Sequence, residues 1–309
     1  MINEPDFAQV TERHRRELHV HCYRMLGSFE EAEDAVQETM LRAWRARASF
    51  DGTQPRAWLY RIATNTCLDA IRSRKRRPAA ITSFDEMPWL QPYPDRLLDE
   101  VAPTEDEPDA VIVARETIEL AFLAVIQLLP PRQRAVLIMR DVLEWSAAET
   151  AEALEMTVAG VNSALQRAKA TLREQPEDRF GRRTTEPTDE EMELLNRFIA
   201  AHERADFAGQ AELLREDVIV TMPPFPMRYM GLADVAGLQE TAKGMGAWKL
   251  VPIMANRMPA AASYLRAPGD DTFRAFKLDI LRVEGDRIAE ITTFNADLFE
   301  AFGLDATLS

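Results

Sequence analysis

Two cysteines in 309 residues, Cys22 and Cys67, leave this chain no disulfide framework and no four-cysteine metal site. Both stand in apolar, helix-like surroundings and read as reduced core residues. No apolar stretch approaches the ~18 residues that a membrane-spanning helix requires. The opening MINEPDFAQVTERHRRELHVHC lacks the apolar centre of a secretion signal. No internal repeat is visible. The expectation is a cytoplasmic chain without membrane association, metal or cofactor.

Positive charge is also scarce, and its distribution is informative. The formal net charge is -14. Residues 1–77 hold 14 basic against 11 acidic residues, whereas residues 78–112 hold one against nine. Residues 113–183 balance at ten each, and residues 184–309 carry 12 against 21. Such acidity excludes indiscriminate coating of nucleic acid, because that binding scales with phosphates neutralised. Any nucleic-acid contact must be local, and the segment AIRSRKRRP concentrates Arg72, Arg74, Lys75, Arg76 and Arg77. Taken alone, the cluster reads equally well as a solvated charged end.

The chain divides by pattern. Residues 6–77 read as helical: Ser28 is an N-cap before FEEAEDAVQETMLRAWRA, with Ala35, Val36, Met40, Ala43 and Trp44 inward. The loop SFDGTQP follows, and Pro55 opens a further helix. Residues 78–112 form an acidic, Pro-rich linker with a candidate anchored piece at MPWLQPYP. Residues 113–174 return to helix, broken at Pro130 and Pro131, and a second hinge spans 175–187. Beyond it, Thr188 and Glu191 make a capping box. The runs DVIVTM, WKLVPIMANR, AASYLRA, FRAFKLDILRV and RIAEITTF read as antiparallel strands, the last two joined at Glu-Gly-Asp, before a terminal helix ADLFEAFGL. Helices followed by such strands predict an α+β domain.

Two constellations carry chemistry. In WSAAETAEALEMTVAGVNSALQRAKATLRE, helix 147–154 and a helix starting near Thr157 are separated by Glu155 and Met156 alone, which is helix-turn-helix spacing. Val161, Leu165, Ala168 and Leu172 supply an inward stripe. Ala159, Gly160, Asn162, Ser163, Gln166 and Arg167 face outward, small and amide-bearing first and basic later, as a major-groove reader requires. An ordinary helical hairpin is the competing reading. On the helix from Ala57, Arg61, Asn65, Arg72 and Arg76 fall at spacings of four, seven and four. That polar stripe suits a phosphate backbone, or simply a wet helix face.

The segments EEAEDAVQETMLRAWRA, PRAWLYRIATNTCLDAIRSRKRR and PPRQRAVLIMRDVLEWSAAETAEAL…VNSALQRAKATLR resemble, in order, regions 2 and 4 of the sigma-70 family of RNA polymerase sigma factors, in its extracytoplasmic-function branch. The last third resembles the SnoaL-like (nuclear-transport-factor-2-like) α+β cone. The implied architecture is a region 2 helical bundle (6–77), the linker (78–112), a region 4 helix-turn-helix (113–174) and a SnoaL-like domain (188–309). The implied partners are RNA polymerase core, through the clamp of its largest subunit and its flap, and promoter DNA. Asp34, Gln37, Glu38, Leu41 and Arg42 would meet the clamp. Phe50, Asp51, Arg61, Asn65, Arg72, Arg74, Lys75 and Arg76 would read and open the −10 element. Thr157, Gly160, Asn162, Ser163, Gln166, Arg167 and Lys169 would read the −35 element. The family often places Gly where Glu155 stands, and basic residues where Asn162, Ala164 and Gln166 stand.

Related cones include isomerases and cyclases with an Asp acid–base catalyst in an apolar pocket. Asp279, mid-strand in FKLDIL, is the candidate, with Asp217 second and His202, Trp248, Met222 and Tyr229 as cavity lining. The chain is expected to be no enzyme, its last domain acting in cis on the sigma core, with a small-molecule ligand as a candidate partner. The alternative is a SnoaL-like isomerase or cyclase fused to a DNA-binding module.

Overall fold

The computed structural model describes residues 4–50, 53–73, 87–99, 118–174 and 187–308. Two compact units emerge: Met1–Thr82 with Leu97–Thr184, and Ser83–Arg96 with Thr185–Ser309. The first is helical among its described residues: α1 (Glu4–Glu12), α2 (Arg15–Leu26), α3 (Phe29–Ala46), α4 (Pro55–Ser73), α5 (Asp95–Asp99, which straddles the division), α6 (Leu120–Leu128), α7 (Pro131–Leu137), α8 (Ala147–Ala153) and α9 (Val158–Arg173). The expected helical stretch before Leu120 and the hinge before residue 187 lie outside the described residues.

Ser28 caps α3 as its sequence predicts, accepting from the Glu31 amide at 3.3 Å. Trp44 departs from expectation. It is 37% exposed because it lies in the last turn of α3; Phe7 meets its edge and Arg47 lies 4.0 Å over its ring. Thr39 takes an inward place instead, its hydroxyl donating to the Ala35 carbonyl at 2.6 Å. Cys22 and Cys67 are free and fully buried.

Polar groups are folded into this core in pairs. Glu17 accepts from Arg56 at 2.8 Å and Tyr60 at 3.1 Å, and meets His14. Burial raises the Glu17 pKa, but hydrogen bonds and charge from His14 and Arg56 outweigh it and hold the carboxyl below its usual range. His21 lies 2.8 Å from the Thr64 hydroxyl and edge-on to Tyr60. Burial, then the nearby Arg24 charge, lowers its pKa to about 3.

The residues after the Pro130–Pro131 break are tied to α2 by one side chain. Arg134, 2% exposed, donates to the Met25 carbonyl and to Gln127 Oε1. It also reaches the Gln127 carbonyl at 2.8 Å and the Leu129 carbonyl at 3.2 Å. Gln127 in turn donates to the Arg24 carbonyl at 3.0 Å. The carbonyls that close α2 and α6 are thereby satisfied from outside their helices. Gly27 allows the approach twice over: its φ is +73°, and a Cβ there would stand 3.0 Å from Gln127 Cδ. α7 then runs into a π-helical turn, Ile138–Val142, closed by the Leu143 amide on the Ile138 carbonyl at 2.9 Å.

The second unit holds α10 (Asp189–Glu203), α11 (Phe207–Leu213), β1 (Leu214–Met222), β2 (Phe225–Met230), α12 (Gly231–Ala242), β3 (Ala247–Ala255), β4 (Met258–Arg266), β5 (Phe273–Glu284), β6 (Arg287–Asn295) and β7 (Thr307–Leu308). Thr188 and Glu191 form the expected capping box. The sheet runs β2-β1-β6-β5-β4-β3, with β7 on β5. Leu195 and Phe198 of α10 pack with Val218, Val220, Leu281 and Ile291 in its core. The α+β class holds, with three corrections. β1 and β6 pair in parallel, Val220 opposite Ile291, because the chain passes through the β3–β6 meander before returning beside β1. β2 was hidden by its prolines; it is an exposed edge strand, where Pro is tolerated. The expected terminal helix is a single 3-10 turn, Ala296–Leu298.

The anchored piece of the linker is real and belongs to this unit. Met87, Leu90 and Tyr93 are buried. The β3–β4 hairpin turns at Asn256 and Arg257, with φ of +55° and +58°, the primed geometry that Asn-Gly usually supplies. Tyr93 and Asn256 exchange hydrogen bonds: the Tyr93 amide to Asn256 Oδ1 at 2.8 Å, the Asn256 amide to the Tyr93 carbonyl at 3.0 Å. Asp95, 4% exposed, accepts from the Arg257 amide at 3.0 and 3.1 Å. Arg96 donates twice to the Ala301 carbonyl.

Arg134→Leu is expected to cost roughly 3 kcal/mol in urea unfolding, since several buried carbonyls lose a charged donor at once, while Arg134→Lys recovers only part. His21 sets an acid limit. Its folded pKa lies below the unfolded value of about 6.5, so the unfolded chain takes up the proton first. Its contribution is complete above pH 6.5 and is lost as pH falls toward 3. Between pH 6.5 and 5, His21→Gln should flatten the unfolding free energy by about 2 kcal/mol relative to the parent.

Candidate nucleic-acid interface

The helix-turn-helix is built as its spacing predicts. Ser146 opens α8 with a capping box to Glu149, and Thr157 caps α9 by accepting from the Gly160 amide at 3.0 Å. Glu155 takes the left-handed conformation, φ +53°, that the tight turn demands and that Gly would adopt freely. The Met156 amide then closes on the Ala151 carbonyl at 2.8 Å.

On α9 the exposed face carries Asn162, Ser163, Gln166 and Arg167, with Gly160 half-buried and Thr157 exposed at the cap. The inward stripe is shifted from expectation: Val161, Ala164 and Ala168 are buried, whereas Leu165 and Leu172 are half-buried. The small Ala164 side chain permits close packing on α7. Lys169 is held by Asp141 at 2.9 Å.

In the first four helices, α3 exposes Asp34, Gln37 and Leu41, the last 52% exposed. Glu38 and Arg42, half-buried, form an ion pair of 2.7 Å, and Arg42 reaches Asp69 at 2.9 Å. Arg72, exposed, donates to the same Asp69 at 2.8 Å. Asp69 therefore joins the two expected sets of residues, which single-helix spacing did not reveal. Its pKa is lowered by the hydrogen bond from Arg42 and by the charges of Arg42 and Arg72, against the opposing effect of burial.

Arg61 is exposed and Asn65 half-buried on α4. Phe50 stacks on Trp58 at 4.7 Å, presenting an aromatic platform beside Arg61. Asp51, Arg74, Lys75 and Arg76 lie outside the described residues. Arg61 and the Phe50–Trp58 pair border a cavity of about 250 Å³ whose other wall is Trp145, Glu149 and Glu152. Arg61 Nη2 stands 3.4 Å from Glu155 Oε1, and Trp145 meets Tyr60 at 5.9 Å.

In the α+β unit, Asp279 is fully buried. Its carboxylate accepts from Thr293 at 2.7 Å and pairs with Lys277 at 2.7 Å. His202 stands perpendicular to Trp248 at 5.1 Å, and its Nδ1 lies 2.9 Å from Gln210 Nε2. Gln239 donates to Gln210 at 3.0 Å. Burial and the Lys277 charge, opposed by Asp279, lower the His202 pKa to about 4, so the ring is neutral at pH 7. Met222, Tyr229 and Trp248 pack on the same core. Asp217 is corrected: it lies on the surface, clasped by Arg215 at 2.7 Å, because it occupies an outward position of β1. Among the described residues no His, Cys, Asp and Glu side chains gather as a metal site, and no helix is long and apolar enough to cross a membrane.

Known proteins bear on these surfaces. The family model for sigma-70 region 2 matches residues 10–77, and that for sigma-70 region 4 matches residues 119–172. The extracytoplasmic-function (ECF) RNA polymerase sigma factor SigG of Mycobacterium tuberculosis is 41% identical over 321 residues, covering 98% of this chain and 85% of that one. SigW of Bacillus subtilis, another ECF sigma factor, is 33% identical over 175 residues, 56% of this chain and 89% of its own. The crystal structure of M. tuberculosis ECF sigma factor SigJ has the same fold, with a TM-score of 0.64 at 22% identity, covering 96% of this chain and 99% of that one. With its helix-turn-helix and region 2 bundle matched in order and an ECF relative aligned along nearly its whole length, the chain belongs to the ECF family of RNA polymerase sigma factors.

Proposed function

We propose that this sigma factor engages RNA polymerase core through the exposed face of α3 and reads promoter DNA at two places. Asp34, Gln37 and Leu41, with the Glu38–Arg42 pair, are the docking set for the clamp. Arg61, Asn65, Arg72 and the Phe50–Trp58 platform, continued by Asp51, Arg74, Lys75 and Arg76, take the unpaired −10 strand. Aromatic stacking beside a guanidinium suits single-stranded bases. Capture of the open strand alone shifts the duplex toward opening without ATP. Asn162, Ser163, Gln166 and Arg167 at the start of α9 read the −35 duplex, with Thr157, Gly160 and Lys169 positioning the helix. The domains follow as 6–77, 78–112, 113–174 and 188–309, acting wherever core polymerase is. The family relationship carries this reading.

The last domain acts in cis, and the observation supporting that is the linker. The segment joining the two DNA-reading regions is seated on the β3–β4 turn through Tyr93 and Asp95, and on the Ala301 carbonyl through Arg96. A domain that holds this segment also limits where those regions can go, at the high effective concentration that fusion supplies. The polar groups buried around Asp279 and His202 would anchor a small polar ligand. Asp279 Oδ1 accepts from Thr293 and Oδ2 pairs with the Lys277 ammonium, an arrangement that favours a structural anchor over a catalytic base.

Run-off transcription with purified core tests both parts. The full chain should direct initiation from a cognate promoter, and Arg61→Ala should lower it at least tenfold. Failure of the full chain on every genomic template, while it still binds duplex DNA alone, sinks the sigma reading. Asp95→Ala, expected to weaken the strap by about 2 kcal/mol, should change initiation severalfold in one direction. Unchanged initiation with a demonstrably released strap, read by proteolysis between residues 87 and 96, removes the cis role and leaves the sigma reading standing.

A further inference from the structure

The short helix α8 and its following turn carry three carboxylates, Glu149, Glu152 and Glu155, and no basic residue between Ala147 and Met156. Nothing in the duplex-reading role of α9 calls for acid there; acid beside DNA is unfavourable. The position of these carboxylates supplies a reason. Glu149 and Glu152 wall the cavity whose opposite side is Phe50, Trp58 and Arg61. Glu155 extends from the left-handed turn to Arg61 at 3.4 Å, and Trp145, just before α8, lies against Tyr60. The strand-reading face of α4 thus meets the acidic end of this helix-turn-helix.

We propose that this acidic segment is an internal occupant of the strand-reading surface, presenting carboxylates to Arg61 where an unpaired strand would present phosphates. The idea rests on the sigma reading above and adds a partner for that same site: residues 149–155 of the chain itself. The contact is weak by construction. The ion pair is open to solvent, with Arg61 44% and Glu155 77% exposed, and exposed pairs contribute little individually. A weak occupant suits the task, because promoter DNA and polymerase must displace it. The free protein therefore binds single strands less well than its own α4 surface allows.

The test is fluorescence anisotropy of a labelled single-stranded oligonucleotide carrying the −10 sequence, with the full chain and no polymerase. E152Q/E155Q should bind roughly fivefold tighter than the parent, the effect of losing a contact of this class. Salt weakens the internal contact as well as DNA binding, so the parent should also show the shallower salt dependence. D270N/D271N removes the same charge from an exposed loop of the other unit and should bind like the parent. Equal tightening by D270N/D271N would assign the effect to net charge and overturn the proposal, as would unchanged binding by E152Q/E155Q. Run-off transcription by all three proteins separates the cases. Initiation with unchanged strand binding defeats this proposal alone; no initiation by any of them defeats the sigma reading and the proposal with it.

Discussion

Backbone groups left over at helix ends and tight turns are the constraint around which this chain is assembled. A helix finishes with carbonyls that its own ladder cannot satisfy, and burying them bare is costly. The bundle meets that cost with a single guanidinium: Arg134 serves carbonyls at the end of α2 and of α6 together, helped by Gln127. The α+β unit uses the same device in other chemistry. Asp95 receives the Arg257 amide, Asn256 answers Tyr93, and Arg96 seats on the Ala301 carbonyl. In each case a side chain distant in sequence completes a backbone, and the tertiary arrangement depends on that completion.

This explains what could be read from the sequence and what could not. Periodicity and capping signals are local, so Ser28, Pro55, Thr157 and the Thr188–Glu191 box mark their helices correctly. The stripe Arg61–Asn65–Arg72 is visible because it repeats along one helix. Asp69, which ties Arg42 of α3 to Arg72 of α4, has no such repeat and emerges only when two helices are side by side. Trp44 looked buried because it is large and apolar, but at the last turn of α3 Phe7 and Arg47 cover only part of its ring. In the sheet, alternation reveals strands and is silent on direction, so the parallel β1–β6 pair could not be foreseen. The buried state of Asp279 likewise depends on Lys277 and Thr293, one on its own strand and one across the ladder.

Electrostatics ties fold to function here. Carboxylates engage Arg42, Arg61, Arg72 and Lys169 at the expected polymerase- and DNA-facing positions, as they do Arg215 and Arg282 in the other unit. Desolvation lowers the pKa of the buried His21 and His202 and keeps both neutral at pH 7. The exposed amide and hydroxyl groups of α9 suit the proposed reading by hydrogen bond better than gripping by charge.

The turn at Asn256 and Arg257 has a wider meaning. Arg257 sits in a left-handed conformation that it would ordinarily avoid, beside Asn256, which tolerates it, and groups from the interdomain segment hold both. The hairpin and the strap therefore stabilise one another, and such coupling is reciprocal. Anything that tightens β3 against β4 also tightens the hold on the segment; anything that pulls the segment away loosens the hairpin in return. The hydrogen bonds of this exchange run to the Asn256 side chain and to the two backbone amides of the turn, so they depend on its geometry and not on the Arg257 side chain. The positive-φ geometry of this turn is what places the Asn256 and Arg257 amides within reach of the strap.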